Sequence, residues 1–160
     1  MGFQKMMAAA ILAAMSTTAM AQSIRPDQAA FRDLYKELVE TNTTQSVGSC
    51  TLAAERMAAR LKAAGYADKD ITLFATPEHP KDGGLVAILP GTSKTLKPLL
   101  MLAHIDVVEA RREDWVRDPF TLIEEGGYFY ARGASDDKAQ AAIWTDTMIQ
   151  IGRASCRERV

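Results

Sequence analysis

The sequence is short of cysteine, of histidine and of any surplus of one charge. Cys50 and Cys156 are its two cysteines among 160 residues. At most one disulfide can form, which excludes a disulfide-stapled scaffold. Lys and Arg number 19 against 20 Asp and Glu, a net charge of −1. Without a basic excess there is no electrostatic footprint for nucleic acid, so no nucleic-acid partner is expected. No apolar run is long enough to span a bilayer comfortably. Internal repeats and low-complexity stretches are lacking too. What is present is 48% apolar residues, enough to build a core in a chain of this size.

The two ends read differently from the middle. Residues 1–21 carry Lys5, an apolar stretch from Met6 to Met15, and Ala19-Met20-Ala21 before Gln22. That is the layout of a secretory signal peptide. The mature chain is expected to begin near Gln22, to be periplasmic or secreted, and to make no membrane contact once the signal is removed. At the other end, Gly152 and the charge cluster of Ile151 to Val160 are expected to break the helical pattern that runs up to Gln150. This decapeptide resembles a translation of a common short-read sequencing adapter, so residues 151–160 are expected to be an artefact. Without them the chain is mildly acidic and has one cysteine. Residues 22–150 contain no linker and are treated as one domain.

Within that domain, Asp27 is placed to cap a helix whose apolar positions Phe31, Leu34, Tyr35 and Leu38 recur at helical spacing. A second helix is expected from Ser49 to Ala64, with Ala53, Met57, Leu61 and Ala64 on one stripe and Gly65 as its stop. Ile71–Phe74, Leu85–Leu89 and Leu99–Ala103 are apolar runs divided by Pro and Gly, and read as strands. Leu99–Ala103 is apolar throughout, the signature of a central strand covered on both faces. Thr121–Ile123 and Tyr128–Ala131 flank Glu124-Glu125-Gly126-Gly127 as a hairpin, and Lys138–Gln150 reads as a third helix. The fold class predicted is α/β, a mixed sheet with helices packing on it.

Two places carry chemistry. His104-Ile105-Asp106 directly follows the Leu99–Ala103 run, at a strand end of the kind where α/β proteins bind ligands. Side chains two apart on extended backbone share a face. A histidine can then ligate a metal through one ring nitrogen while an aspartate accepts the proton of the other. The second place is Arg132-Gly133-Ala134-Ser135-Asp136-Asp137-Lys138, a strand leading into paired carboxylates at the mouth of a helix. Carboxylates there also serve as simple dipole-complementing caps, and His-x-Asp alone is a weak signal. His79, between Pro77 and Pro80, is expected to face solvent in a turn-rich loop. Cys50 is expected to pack at its helix start, Trp115 and Phe120 to pack or to line a pocket, and Lys138 and Arg132 to be ordinary element-end charges.

Taken together, H-x-D after an apolar strand and R-G-x-x-D-D-K after it, with Asp114-Trp115 and Asp118-Pro119-Phe120 between, resemble the M20 family of zinc peptidases, aminoacylases and deacylases. The resemblance covers most of Ala30 to Gln150 and implies an incomplete catalytic domain of the zinc-dependent exopeptidase type. It implies that His104 binds one metal, that Asp106 orients His104 as a catalytic residue, and that Asp136 bridges two zinc ions. Asp137 is then not a ligand, and a non-proline cis peptide is expected between Asp136 and Asp137. Ala139-Gln140 departs from the glycine usual after the motif's lysine. The implied activity is hydrolysis of amide bonds in short peptides or N-acyl amino acids, with Zn2+ as cofactor. The family's Glu-Glu pair, a later acidic ligand and a distal histidine would lie beyond Gln150. The chain itself is therefore expected to be inactive and to bind zinc weakly. A homodimer through a lid domain absent here is a further implied partner. The alternative is a periplasmic α/β binding protein in which these residues are structural.

Overall fold

The computed structural model describes residues 24–157, with side chains through residue 153; the signal-like segment 1–21 and residues 158–160 lie outside them. Helix α1 spans Pro26–Glu40. Proline lacks an amide hydrogen and is preset for the first helical position, so the cap falls on Arg25, two residues before the Asp27 expected to hold it. The Arg25 amide donates to Gln28 Oε1 at 3.1 Å, and Asp27 pairs with the Arg25 guanidinium in the first turn. Helix α2 spans Cys50–Ala63, its start closed by Ser49 Oγ accepting from the Leu52 amide at 3.1 Å.

Helix α3 runs over Lys138–Arg157 without a break at Gln150. Gly152 does not stop it. That glycine is buried, and a Cβ there would meet the Tyr66 ring at 2.9 Å. It is the point of close approach at which Tyr66 also donates its hydroxyl proton to the Met148 carbonyl at 2.8 Å. The core lies where the three helices meet. Leu34, Leu38, Val39, Met57 and Leu61 are each at most 3% exposed, with Ala142 of α3 closing the cluster. The stripes expected for α1 and α2 are thus the faces that are buried.

The strands form two small antiparallel hairpins. β1 (Ile71–Thr76) pairs with β2 (His79–Ala87), and β3 (Ile123–Glu125) pairs with β4 (Tyr128–Tyr130). His79 therefore opens a strand instead of lying in a loop, though it faces solvent as expected. The second hairpin docks on α1 through the bidentate Arg32–Glu124 pair and the edge-on packing of Phe129 against Tyr35. The α/β class stands, with small antiparallel sheets in place of a single sheet. Leu99–Ala103 belongs to no strand among the described residues. Leu99, Leu100 and Leu102 are 74–86% exposed. A central strand needs paired strands at its edges and layers on its faces; among the described residues no strand pairs with this run, and Trp144 of α3 donates its indole N–H to the Leu102 carbonyl at 3.2 Å.

Candidate metal centre

The His104-Ile105-Asp106 loop is fixed by the turn between α1 and α2. Buried Thr43 donates its hydroxyl proton to the Ile105 carbonyl at 2.6 Å, and its own carbonyl accepts the Val107 amide at 3.3 Å. The second motif meets this loop at Gly133, whose φ is +74°, a left-handed conformation that favours glycine. A Cβ at Gly133 would lie 2.5 Å from Val107 Cγ1. The chain then enters α3 through Asp136 and Asp137, which are joined by a cis peptide bond, as the resemblance predicts.

This arrangement brings all three expected site residues together. His104 Nε2 lies 3.0 Å from Asp136 Oδ1, and Nδ1 lies 3.2 Å from Asp106 Oδ1. Asp137 instead accepts the His104 backbone amide through Oδ2 at 3.3 Å. Partial burial pulls the His104 pKa down. The hydrogen bond to Asp136 and the charges of Asp106 and Asp136 together outweigh it, so the pKa stands above the ordinary 6.5. The site is open: the Asp136 side chain is 89% exposed and that of His104 53%. Beside it, a cavity of about 910 Å³ is lined by Thr43, Cys50, Phe74, Asp82, His104 and Asp106. Burial first, and the nearby Asp106 and Asp82 charges second, push the Cys50 thiol pKa up, so Cys50 is no ready thiolate at neutral pH.

Lys138 is the residue that sequence reasoning missed. Expected as an ordinary helix-start charge, it is fully buried, and its ammonium donates to the Thr41 carbonyl at 2.7 Å and, more distantly, the Val39 carbonyl at 3.5 Å. Burial lowers its pKa from 10.5 to about 8. An amphipathic side chain at a helix start gives no sign of this, because the carbonyls that receive it lie at the end of α1 and just after it, far away in sequence. Arg132 is also not a free end charge. Its guanidinium lies 5.0 Å from the centre of the Trp115 ring, and its Nε is buried without a hydrogen-bond partner. Trp115 thus packs on an arginine. Glu124 and Glu125 are occupied by ion pairs with Arg32 and Arg117 on the second hairpin and do not line the cavity.

A metal can be tested against these residues by geometry. Two ligands on a tetrahedral zinc ion, each about 2.0–2.1 Å from it, stand roughly 3.3 Å apart. The His104 Nε2–Asp136 Oδ1 separation of 3.0 Å is close to that edge, and Asp106 holds the second ring nitrogen as an outer partner does. Those residues fit one edge of a site. No group of three or more His, Cys, Asp or Glu side chains placed to hold a metal occurs among the described residues.

Residues 100–159 match the model of peptidase family M20/M25/M40. Similar curated proteins include acetylornithine deacetylase of Dictyostelium discoideum, 42% identical over 46% of this chain and 17% of that protein. Human aminoacylase-1 is 46% identical over 43% of this chain and 18% of that one. The mouse N-fatty-acyl-amino acid synthase/hydrolase PM20D1 is 44% identical over 31% of this chain and 10% of its own length. The chain thus spans less than a fifth of these relatives. Among solved structures, human carnosine dipeptidase 1 superposes with a TM-score of 0.55 at 25% identity, covering 80% of this chain and 29% of that one.

Proposed function

We propose, from the match of residues 100–159 to the model of peptidase family M20/M25/M40, that this chain carries the metal-binding front part of an exported zinc-dependent hydrolase. Its substrates would be the amide bonds of short peptides or N-acyl amino acids. The observation that supports the reading is the His104 imidazole bracketed by the carboxylates of Asp106 and Asp136. Relatives named as a deacetylase, an aminoacylase and a dipeptidase support the bond type. Export rests on the layout of residues 1–21; a secreted product beginning near Gln22 would bear it out.

In this reading His104 and Asp136 hold metal, and Asp106 accepts the proton on Nδ1, which leaves the Nε2 lone pair for coordination. A pair of zinc ions, when bound, supplies Lewis acidity that polarises an amide carbonyl and lowers the pKa of water. Asp137 takes no ligand role; its carboxylate steadies the His104 backbone amide. The Glu-Glu pair that serves as general base and ligand in the family has no counterpart among the described residues lining the cavity, where Glu109 is bonded to Ser46. The 160-residue chain alone is therefore inactive in this reading and binds zinc weakly.

The test is a Zn2+ titration of the 160-residue chain followed by imidazole NMR. The sequence has two histidines, His79 and His104, so His79 serves as the internal control. Zn2+ should shift the His104 resonances first, and Asp136→Ala should weaken that response at least tenfold. Equal response of the two rings, or an unchanged response in Asp136→Ala, would remove the assignment. Tight binding of a small solute without zinc would instead favour a non-catalytic binding protein.

A further inference from the structure

We propose that Thr43 is the positioning residue of this centre: it holds the two peptide groups that flank Asp106 and thereby sets His104 in register with Asp136. This inference rests on the reading of His104 and Asp136 as metal ligands. Thr43 is 2% exposed and lies between α1 and α2, outside both motifs. Its Oγ1 donates to the Ile105 carbonyl at 2.6 Å, and its carbonyl accepts the Val107 amide at 3.3 Å. Those groups belong to the peptide units immediately before and after Asp106. One residue therefore fixes the Asp106 Cα from both sides, and with it the Asp106 carbonyl 3.3 Å from His104 Nδ1 and the carboxylate oxygen 3.2 Å from the same nitrogen.

The turn is itself held rigid. Asn42 Oδ1 accepts from the Thr44 amide and hydroxyl, both at 2.9 Å, and the Asn42 carbonyl accepts the Ser49 amide at 2.9 Å. It also reaches the other half of the centre, because the Thr41 carbonyl accepts from Lys138, two residues after Asp136. The same short turn thus grips the histidine loop through Thr43 and the aspartate-bearing helix start through Thr41. Partners that orient metal ligands typically contribute about 10–100-fold to metal affinity. Thr43 acts one bond further out, through the peptide units around Asp106, so its loss should cost at the low end of that range, about tenfold.

The experiment uses the 160-residue chain, Zn2+ alone as the probe, and the variants Thr43→Val and Thr43→Ser. Affinity is read from the His104 imidazole shifts, folding from far-UV circular dichroism, and loosening of the Ile105–Val107 loop from hydrogen exchange at the Val107 amide, which the Thr43 backbone carbonyl accepts in every variant. Valine keeps the shape and loses the donor; it should weaken Zn2+ binding about tenfold and speed exchange at Val107 with helix content unchanged. Serine keeps the donor and should stay within about twofold of the parent chain. Equal affinity in Thr43→Val, or a serine variant as weak as the valine one, overturns the proposal while leaving the ligand assignment intact. If Zn2+ leaves His104 of the parent chain unmoved, the ligand reading fails and takes the proposal with it. Should Thr43→Val lose its helical signal, Thr43→Ser decides: retained affinity and slow Val107 exchange support the role, and a tenfold loss refutes it.

Discussion

Replacing Lys138 with methionine should change how the stability of this fold depends on pH more than it changes stability itself. Lys138 is fully buried, its ammonium held among the described residues by the Thr41 and Val39 carbonyls, and its folded-state pKa of about 8 lies below the ordinary 10.5. Between those values the unfolded chain holds the proton and the native chain does not. Stability therefore rises with pH through that window, and the full penalty applies below it. Integrating the proton linkage across about 2.5 pKa units gives a cost of roughly 3 kcal/mol near pH 7, about 2.5 kcal/mol of which is relieved by pH 10. At neutral pH, Lys138→Met removes that cost but leaves the Thr41 carbonyl without its donor, a loss of about 1–3 kcal/mol, so the two variants should be nearly equal. At pH 10 the lysine form should be ahead by about 2.5 kcal/mol more than at pH 7. Tyr35 and Tyr66, whose pKa values burial raises, also titrate at high pH but cancel in the difference between the two proteins. Urea unfolding of both, at a series of pH values, measures it. A difference that stays constant with pH would show that Lys138 is not desolvated as described.

Gly133→Ala should destabilise the chain by about 1–3 kcal/mol, since it forces a side chain into a left-handed conformation with its Cβ 2.5 Å from Val107 Cγ1; a thermal midpoint equal to the parent's would contradict the close approach. His104 titration should show a midpoint above 6.5. A raised folded-state pKa means that the proton stabilises the native form at low pH and that this contribution fades as pH rises through the folded value. The same proton competes with metal at Nε2, so Zn2+ affinity should fall about tenfold per pH unit below that midpoint, and Zn2+ titrations at several pH values would detect a flat response if it does not.

What could be read from the sequence was whatever a local pattern encodes. The stripes of α1 and α2 follow from spacing alone, and Ser49 announces the start of α2 by being a good acceptor where one is needed. The β3–β4 hairpin follows from Gly126-Gly127. His104, Asp106 and Asp136 were legible because motif spacing carries chemistry that composition does not. Partners distant in sequence were not legible. Leu99–Ala103 looks buried because it is apolar, yet burial depends on neighbours, and among the described residues no strand pairs with it and Leu99, Leu100 and Leu102 stay exposed. Gly152 looks like a helix stop because glycine often is one; here Tyr66 needs the space.

The same distinction explains why Lys138 and Thr43 escaped notice while His104, Asp106 and Asp136 between them did not. A ligand is recognised by what its side chain can do, and that is written in the residue type. A positioning group is recognised only by what it touches, and both residues act on backbone atoms, which every residue offers equally. Thr43 bonds the peptide units around Asp106, and Lys138 bonds the carbonyl of Thr41. Neither bond depends on the identity of its partner's side chain. Substitution at Ile105 or Val107 that preserves packing should therefore leave the tie to Thr43 intact, whereas loss of the Thr43 hydroxyl should loosen it whatever stands opposite.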